Sequence, residues 1–159
     1  MREALKEARK AFDEGEVPVG AVLVFEGHVI ARGHNQVELL KDATAHAEMI
    51  AITSGANHIA NWRLNDTTLY CTLEPCVMCA GAILSSRIKR LVYGASDIRQ
   101  GANGSWVNLF DKEHPIHSVE VQGGLLADFS AELMTKFFQE QRRKKDNEAR
   151  CRATAPRIS

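Results

Sequence analysis

Segments with strand-like and helix-like patterns alternate along this 159-residue chain, and their order is its strongest constraint on fold. Two β-rich runs joined by a Glu-Gly turn follow a first helix and predict a β-hairpin. The predicted elements, in order, are helix 2–14, strands 19–25 and 28–33, a helix from 42–44 to 55, strand 67–73, helix 76–86, strand 89–94, strand 119–121 and helix 125–145. Strands alternating with helices after a hairpin predict a three-layer α/β/α fold with a mixed sheet.

The length and the distribution of charge predict one domain and a basic tail. A chain of 159 residues has the size of one ordinary domain. Its net charge is zero, yet residues 142–159 contain seven basic and two acidic side chains. We therefore expect a single domain over 1–145 and a tail over 146–159, whose polar, patternless sequence predicts disorder. Such a tail could bind a polyanion, although tails that only improve solubility are commoner.

The composition favours a cytoplasmic protein with no membrane role. No apolar run approaches the length of about 20 residues that a membrane span requires. The first residues are charged and helical in pattern, unlike a secretion signal. In such a protein the four cysteines indicate metal binding or redox chemistry rather than disulfides.

Two short segments, HAE at 46–48 and PCVMC at 75–79, carry the residues best suited to bind a metal. Cys76 and Cys79 are three positions apart, so a first helical turn directs both sulfurs to one side. With His46 they supply three protein ligands and leave the fourth tetrahedral position of a zinc ion open, as catalytic sites do. Glu48 is then the natural proton carrier.

Each of these motifs is weak by itself. A lone CxxC in a cytosolic protein could be a redox pair, and a lone HxE on a helix is usually surface polarity or a buried histidine. Together they match the H-x-E and P-C-x-x-C signature already established for zinc-dependent deaminases. The combination therefore favours a catalytic zinc site.

Three longer segments resemble the tRNA adenosine deaminase family of the cytidine deaminase-like superfamily. They are EVPVGAV at 16–22, ATAHAE at 43–48 and TLEPCVMCAGA at 72–82. The resemblance continues through SRI at 86–88 and VYGA at 92–95 to the FF pair and the following RR. It implies a cytidine deaminase-like fold with a five-stranded mixed sheet, a homodimer, one Zn²⁺ per subunit and a tRNA anticodon loop as partner. No DNA partner is expected.

The resemblance also implies a reaction, the hydrolysis of adenosine to inosine at the wobble position, position 34, of a tRNA anticodon. It implies that His46, Cys76 and Cys79 hold zinc. Zinc-bound hydroxide would attack C6 of the extruded adenine, while Glu48 delivers protons to N1 and to the leaving amine.

Six further residues match family positions that contact the substrate. Asn35 matches a hydrogen-bonding position, Val17, Ala47 and Leu73 the pocket wall, Asp97 a sugar or backbone contact, and Phe138 an aromatic residue near the anticodon loop. For Asn35 the sequence leaves a turn-closing role equally open. Of the adjacent Phe137 and Phe138, only one can face the interior fully, so the exposed one could stack on a base.

Two positions depart from the family pattern. Ala43 stands where the family commonly has Pro, and His34 where an aromatic residue is frequent. Neither belongs to the predicted zinc set, although His34 could alter contacts with the anticodon loop.

Two other functions remain open. A free-base or nucleoside deaminase acting on guanine or cytosine would have a closed pocket and no use for the basic tail. A non-catalytic, zinc-stabilised RNA-binding module would have a fourth protein ligand and no need of Glu48.

Overall fold

The computed structural model describes residues 1–111, 115 and 117–154, with side chains described as far as residue 149. Its helices and strands are α1 Arg2–Asp13, β1 Gly20–Phe25, β2 His28–His34, α2 Val37–Leu40, α3 Ala47–Ile59, β3 Thr68–Leu73, α4 Val77–Ser85, β4 Arg90–Ala95, β5 Glu120–Gln122 and α5 Ala127–Thr154. The five strands form one sheet in the order β2-β1-β3-β4-β5. β1 runs antiparallel to β2 and β3, whereas β3, β4 and β5 run parallel. The predicted five-stranded mixed sheet is confirmed.

Two glycines show which helix covers each face of the sheet. Gly33 pairs with Ala21, the neighbour of Gly20 in β1, so the two glycines face opposite sides. A Cβ on Gly20 would lie 2.1 Å from the carbonyl oxygen of Ala4 in α1. A Cβ on Gly33 would lie 2.4 Å from the carbonyl oxygen of Ala47 in α3. The absence of side chains therefore lets α1 and α3 pack closely on opposite faces.

The largest apolar core lies between the sheet and the layer formed by α3 and α4. Its buried members include Leu23, Leu69 and Leu91 from the strands, Ala51 from α3 and Ile83 from α4. On the other face α1 contacts α5, and α5 also contacts β3 and β4. Within the described part of the chain, no helix has both the length and the apolarity needed to cross a membrane.

The start of α3 differs from the sequence prediction. The carboxylate of Asp42 accepts hydrogen bonds from the N–H and the hydroxyl of Thr44, both at 2.8 Å, and so closes a turn instead of capping a helix. The short helix α2 precedes this turn and was not predicted from the sequence. Four residues are too few to show a helical period.

The last helix also differs from its prediction. The sequence predicts an end near Lys145, whereas α5 continues to Thr154. No Gly or Pro interrupts residues 146–154, and Pro156 is the first breaker. Over 146–154 the backbone is therefore helical where the sequence predicts disorder, and 155–159 lie outside the described residues. The division at residue 145 stays a prediction.

Candidate metal centre and substrate cleft

The side chains of His46, Cys76 and Cys79 meet where α3 and α4 begin. His46 directly precedes α3, and Cys76 directly precedes α4. Nδ1 of His46 lies 3.6 Å from the Sγ atoms of both cysteines. The three candidate ligand atoms all lie within 4.8 Å of one another. The structure therefore brings together the three residues that the sequence predicts as metal ligands.

The first turn of α3 is held by Asn35. Its Oδ1 accepts the N–H of Ala47 at 2.9 Å, and the side chain of His46 makes no capping hydrogen bond. The free N–H groups at a helix N-terminus need a hydrogen-bond acceptor. Because Asn35 supplies one, the imidazole of His46 stays available to a metal ion. Asn35 also lines the cleft described below. The side chain of Asn35 thus both caps α3 and lines the cleft.

The two cysteine thiols form a coupled pair. A hydrogen bond from the Cys79 thiol lowers the pKa of Cys76 to about 4, and the same interaction raises the pKa of Cys79. The hydrogen bond with Cys76 raises the pKa of His46. Candidate ligands that share protons in this way can release those protons when a metal cation binds.

The donor set fits zinc. It contains one imidazole and two sulfurs, and among the described residues the candidate group has no fourth ligand. Three protein ligands leave one tetrahedral position open, which is the pattern of catalytic rather than structural zinc sites.

Glu48 lies beside this group in the first turn of α3. Its side chain is buried, with 3% of the residue exposed, and Oε2 has no hydrogen-bond partner among the residues that the structure describes. Burial raises the pKa of Glu48 to about 7, although the nearby His46 opposes the increase. A buried carboxylate with an unpartnered oxygen is suited to hold and release a proton near neutral pH.

A cleft of about 650 Å³ opens over His46 and Glu48. Its lining includes five of the six residues predicted to contact the substrate: Val17, Asn35, Leu73, Asp97 and Phe138. The sixth, Ala47, is fully buried in the core, and its amide donates to Asn35. Ala47 is not among the residues that line the cleft, and its predicted contact with the substrate stays a prediction.

The mouth of the cleft is formed in part by α5. Phe137 is 6% exposed and packs edge-on against Phe12, with ring centroids 5.9 Å apart, whereas Phe138 is 38% exposed; both residues line the cleft. This confirms that only one of the two rings faces the interior. Lys145 lies at the same mouth. Arg142 lines a neighbouring groove that shares Phe138 and Lys145 with the cleft.

The two positions that depart from the family pattern lie in different surroundings. His34 faces α1, with its ring nitrogens 3.0 Å from Glu14 and 3.4 Å from Glu7. Ala43 lines a second pocket that adjoins His46 and Cys76 and includes the exposed Trp106.

Comparison with known proteins identifies the family. Residues 1–95 match the model of the cytidine and deoxycytidylate deaminase zinc-binding region. The tRNA-specific adenosine deaminase of Bacillus subtilis (strain 168) is 47% identical over 145 residues, which cover 91% of this chain and 90% of that protein. This chain belongs to the tRNA-specific adenosine deaminase family.

Two further comparisons support membership in the same deaminase family. The chloroplastic tRNA(adenine(34)) deaminase of Arabidopsis thaliana is 52% identical over 155 residues, which are 87% of this chain and only 12% of that longer protein. A solved structure from a study of A-to-I editing by tRNA:A34 deaminases at the wobble position has a TM-score of 0.80 and 47% identity. The match covers 84% of this chain and 96% of that one.

Membership in the deaminase family confirms the predicted enzyme class, the zinc cofactor and the cytidine deaminase-like fold. The part that each side chain plays stays a prediction.

Two buried carboxylates at the cleft were not predicted from the sequence. Glu16 accepts the N–H of Leu39 at 2.7 Å and so ties α2 to the segment before β1. Glu74 accepts hydrogen bonds from the loop after β4. Both residues lie inside segments that carry the family resemblance. Their location in those segments was the only sequence signal that could have pointed to them.

Proposed function

We propose that this protein hydrolyses adenosine to inosine at wobble position 34 of a tRNA anticodon. The observation that carries the proposal is the buried Glu48 carboxylate beside the cluster of possible zinc ligands, with one oxygen that no described residue hydrogen-bonds. This pair of features lies in a cleft that also contains exposed residues of α5. The relatives' activity supports the same reaction here.

His46, Cys76 and Cys79 would hold the zinc ion. When bound, zinc is a Lewis acid that makes water a nucleophile at neutral pH. Both cysteines lie at the N-terminus of α4, where the helix dipole favours the thiolate form that metal binding requires.

Glu48 would carry the protons of the reaction. With a pKa near 7 it has both protonation states available at neutral pH. It would take one proton from the attacking water and give it to N1 of the adenine, and then take the remaining proton of the new C6 hydroxyl and pass it to the exocyclic amine. A C–O bond forms at C6 and the C–N bond breaks, so that water and adenosine become inosine and ammonia.

The cleft suits a base that has been turned out of an RNA loop. Val17 and Leu73 offer apolar surface, while Asn35 and Asp97 offer polar groups. Lys145 is exposed at the mouth and would meet the phosphates of flanking nucleotides. A base that remains attached to RNA needs an opening of this kind, whereas a free-base enzyme is expected to close its pocket.

The direct test incubates the zinc-loaded protein with an anticodon stem-loop that carries adenosine at position 34. Nucleoside analysis should find inosine at that position. Ammonia release from guanine, cytosine and free adenosine is measured in parallel. Turnover of free bases alone would establish the free-base alternative, and fully zinc-loaded protein without any turnover would favour the RNA-binding module.

We also propose a homodimer and a cytoplasmic location. The dimer is what the family resemblance implies, and light scattering on a sizing column would measure it. The location rests on composition, and the chloroplastic relative shows that the family also occurs elsewhere. Imaging of a tagged chain in its own cells would decide this point.

A further inference from the structure

The carboxylate of Glu74 is buried beneath the loop that follows β4. Only 2% of this residue is exposed. Oε2 accepts the N–H of Asp97 at 3.0 Å and the hydroxyl of Ser105. Oε1 accepts the N–H groups of Asn103 at 2.8 Å and Ser105 at 3.3 Å. One side chain thus binds both ends of residues 97–105, which we call the loop wall.

The loop wall is also fastened to the segment that carries the metal ligands. The N–H of Ala102 donates to the carbonyl oxygen of Pro75 at 2.9 Å, and Gly101 forms an isolated bridge with Cys76. A Cβ on Gly101 would lie 2.4 Å from the carboxyl carbon of Glu74. The loop can therefore close over this carboxylate only because residue 101 has no side chain.

The first turn of the loop wall faces the substrate cleft. The carboxylate of Asp97 accepts the N–H groups of Arg99 at 3.0 Å and Gln100 at 3.3 Å. All three of these residues line the cleft. Since Glu74 holds the backbone of Asp97, it determines where this turn lies relative to the metal ligands.

We propose that Glu74 is a positioning residue for substrate binding. Its buried carboxylate holds the loop wall against the metal centre and acts on the RNA through that loop, not on the reacting atoms. This inference rests on the proposed function, because it concerns the same cleft. Hydrogen bonds to a buried charged acceptor are among the stronger ones, so their loss should be measurable.

The test compares Glu74→Gln with the wild type on the anticodon stem-loop. The substitution replaces one carboxylate oxygen with an NH2 group. This group cannot accept the N–H groups that donate to Glu74 in the wild type. We expect KM to rise roughly tenfold, which equals about 1.4 kcal/mol. The value of kcat should stay within about threefold, and zinc content should not change. The exposed carboxylate of β5 supplies the matched control, Glu120→Gln, which should change neither constant.

Two variants test the loop from its other side. Gly101→Ala leaves Glu74 intact but crowds its carboxylate, so it should raise KM in the same way. Ser105→Ala removes the hydroxyl contact and keeps the backbone contacts, so a smaller rise of about twofold to threefold is expected. If Glu74→Gln does not fold, these two variants decide the question.

Several results would overturn the positioning role. They are an unchanged KM in Glu74→Gln, an unchanged KM in both loop variants, and loss of zinc from folded Glu74→Gln. Inactive wild-type protein would instead reject the proposed function. In that case the dissociation constant of a fluorescein-labelled stem-loop, measured with and without Glu74→Gln in the Glu48→Ala background, still tests the loop wall. A tenfold weaker complex supports it, and equal affinities contradict it.

Discussion

The floor and the mouth of the cleft are built in different ways. The floor consists of two helix starts, 46–48 and 76–79, whose reactive groups are neighbours in short motifs. The mouth combines the loop wall with Phe138 and Lys145 of α5, which are far apart in sequence and partly exposed. The candidate reactive groups of the floor are close in sequence within each motif, although the two motifs lie 30 positions apart, whereas the mouth has no such short motif. Substitutions in the floor should abolish turnover, whereas those at the mouth should weaken binding.

The largest effect is expected for Cys76→Ala. It removes one of three candidate ligands, so the protein should lose stoichiometric zinc and its inosine production should fall to background. Metal analysis and the stem-loop assay measure the two effects. Cys71→Ala is the matched control, since that buried thiol is in the core and outside the ligand group. Full zinc occupancy in Cys76→Ala would contradict the assigned ligand set.

Glu48→Ala separates the chemistry of the floor from its metal binding. We expect zinc to remain bound and kcat to fall by roughly a hundredfold to ten-thousandfold, the range that one proton-transferring group contributes. Single-turnover inosine formation and metal analysis on the same sample measure this. Glu120→Ala, on an exposed position of β5, should behave as wild type. An active Glu48→Ala protein would show that another group carries the protons.

Phe138→Ala tests the mouth. If the exposed ring stacks on a base, its loss should raise KM for the stem-loop roughly tenfold, because such stacking contributes about 1 to 3 kcal/mol. The value of kcat should change little. Phe129, on the same helix and 61% exposed, does not line the cleft, so Phe129→Ala should leave KM unchanged. Equal KM values for both variants would remove Phe138 from the binding surface.

The smallest effect is expected for Lys145→Ala. Loss of one phosphate contact should weaken stem-loop binding about twofold to fivefold at low salt. It should also reduce the slope of log Kd against log salt concentration by about 0.7. Lys136→Ala is the control, since that side chain pairs with Glu132 and lies outside the cleft lining. A salt slope unchanged from wild type would mean that Lys145 meets no phosphate.

The sequence predicted the sheet, its strand order along the chain and the residues that meet at the metal centre. The strands and the Cys76–Cys79 spacing depend on short-range patterns, whereas joining His46 to the two cysteines depended on matching both motifs to the zinc-dependent deaminase signature. Strand alternation and the three-residue spacing of Cys76 and Cys79 act within one element, so they can be recognised without the rest of the fold. The local pattern also predicted that His46 lies near the start of a helix, although it set that start at 42–44 and α3 begins at Ala47.

Only the tertiary structure decided how the cleft is held in shape. Glu74 binds partners 23 to 31 positions away, and Asn35 caps a helix 12 positions away. The sequence alone does not show whether a Glu or Asn side chain is exposed to solvent or accepts a hydrogen bond from a buried N–H group. The role of that side chain is set by which backbone donors the fold leaves without acceptors, and packing of distant segments determines that. For the same reason the sequence predicted the candidate zinc ligands and proton carrier of the floor but not the contacts that hold the loop wall.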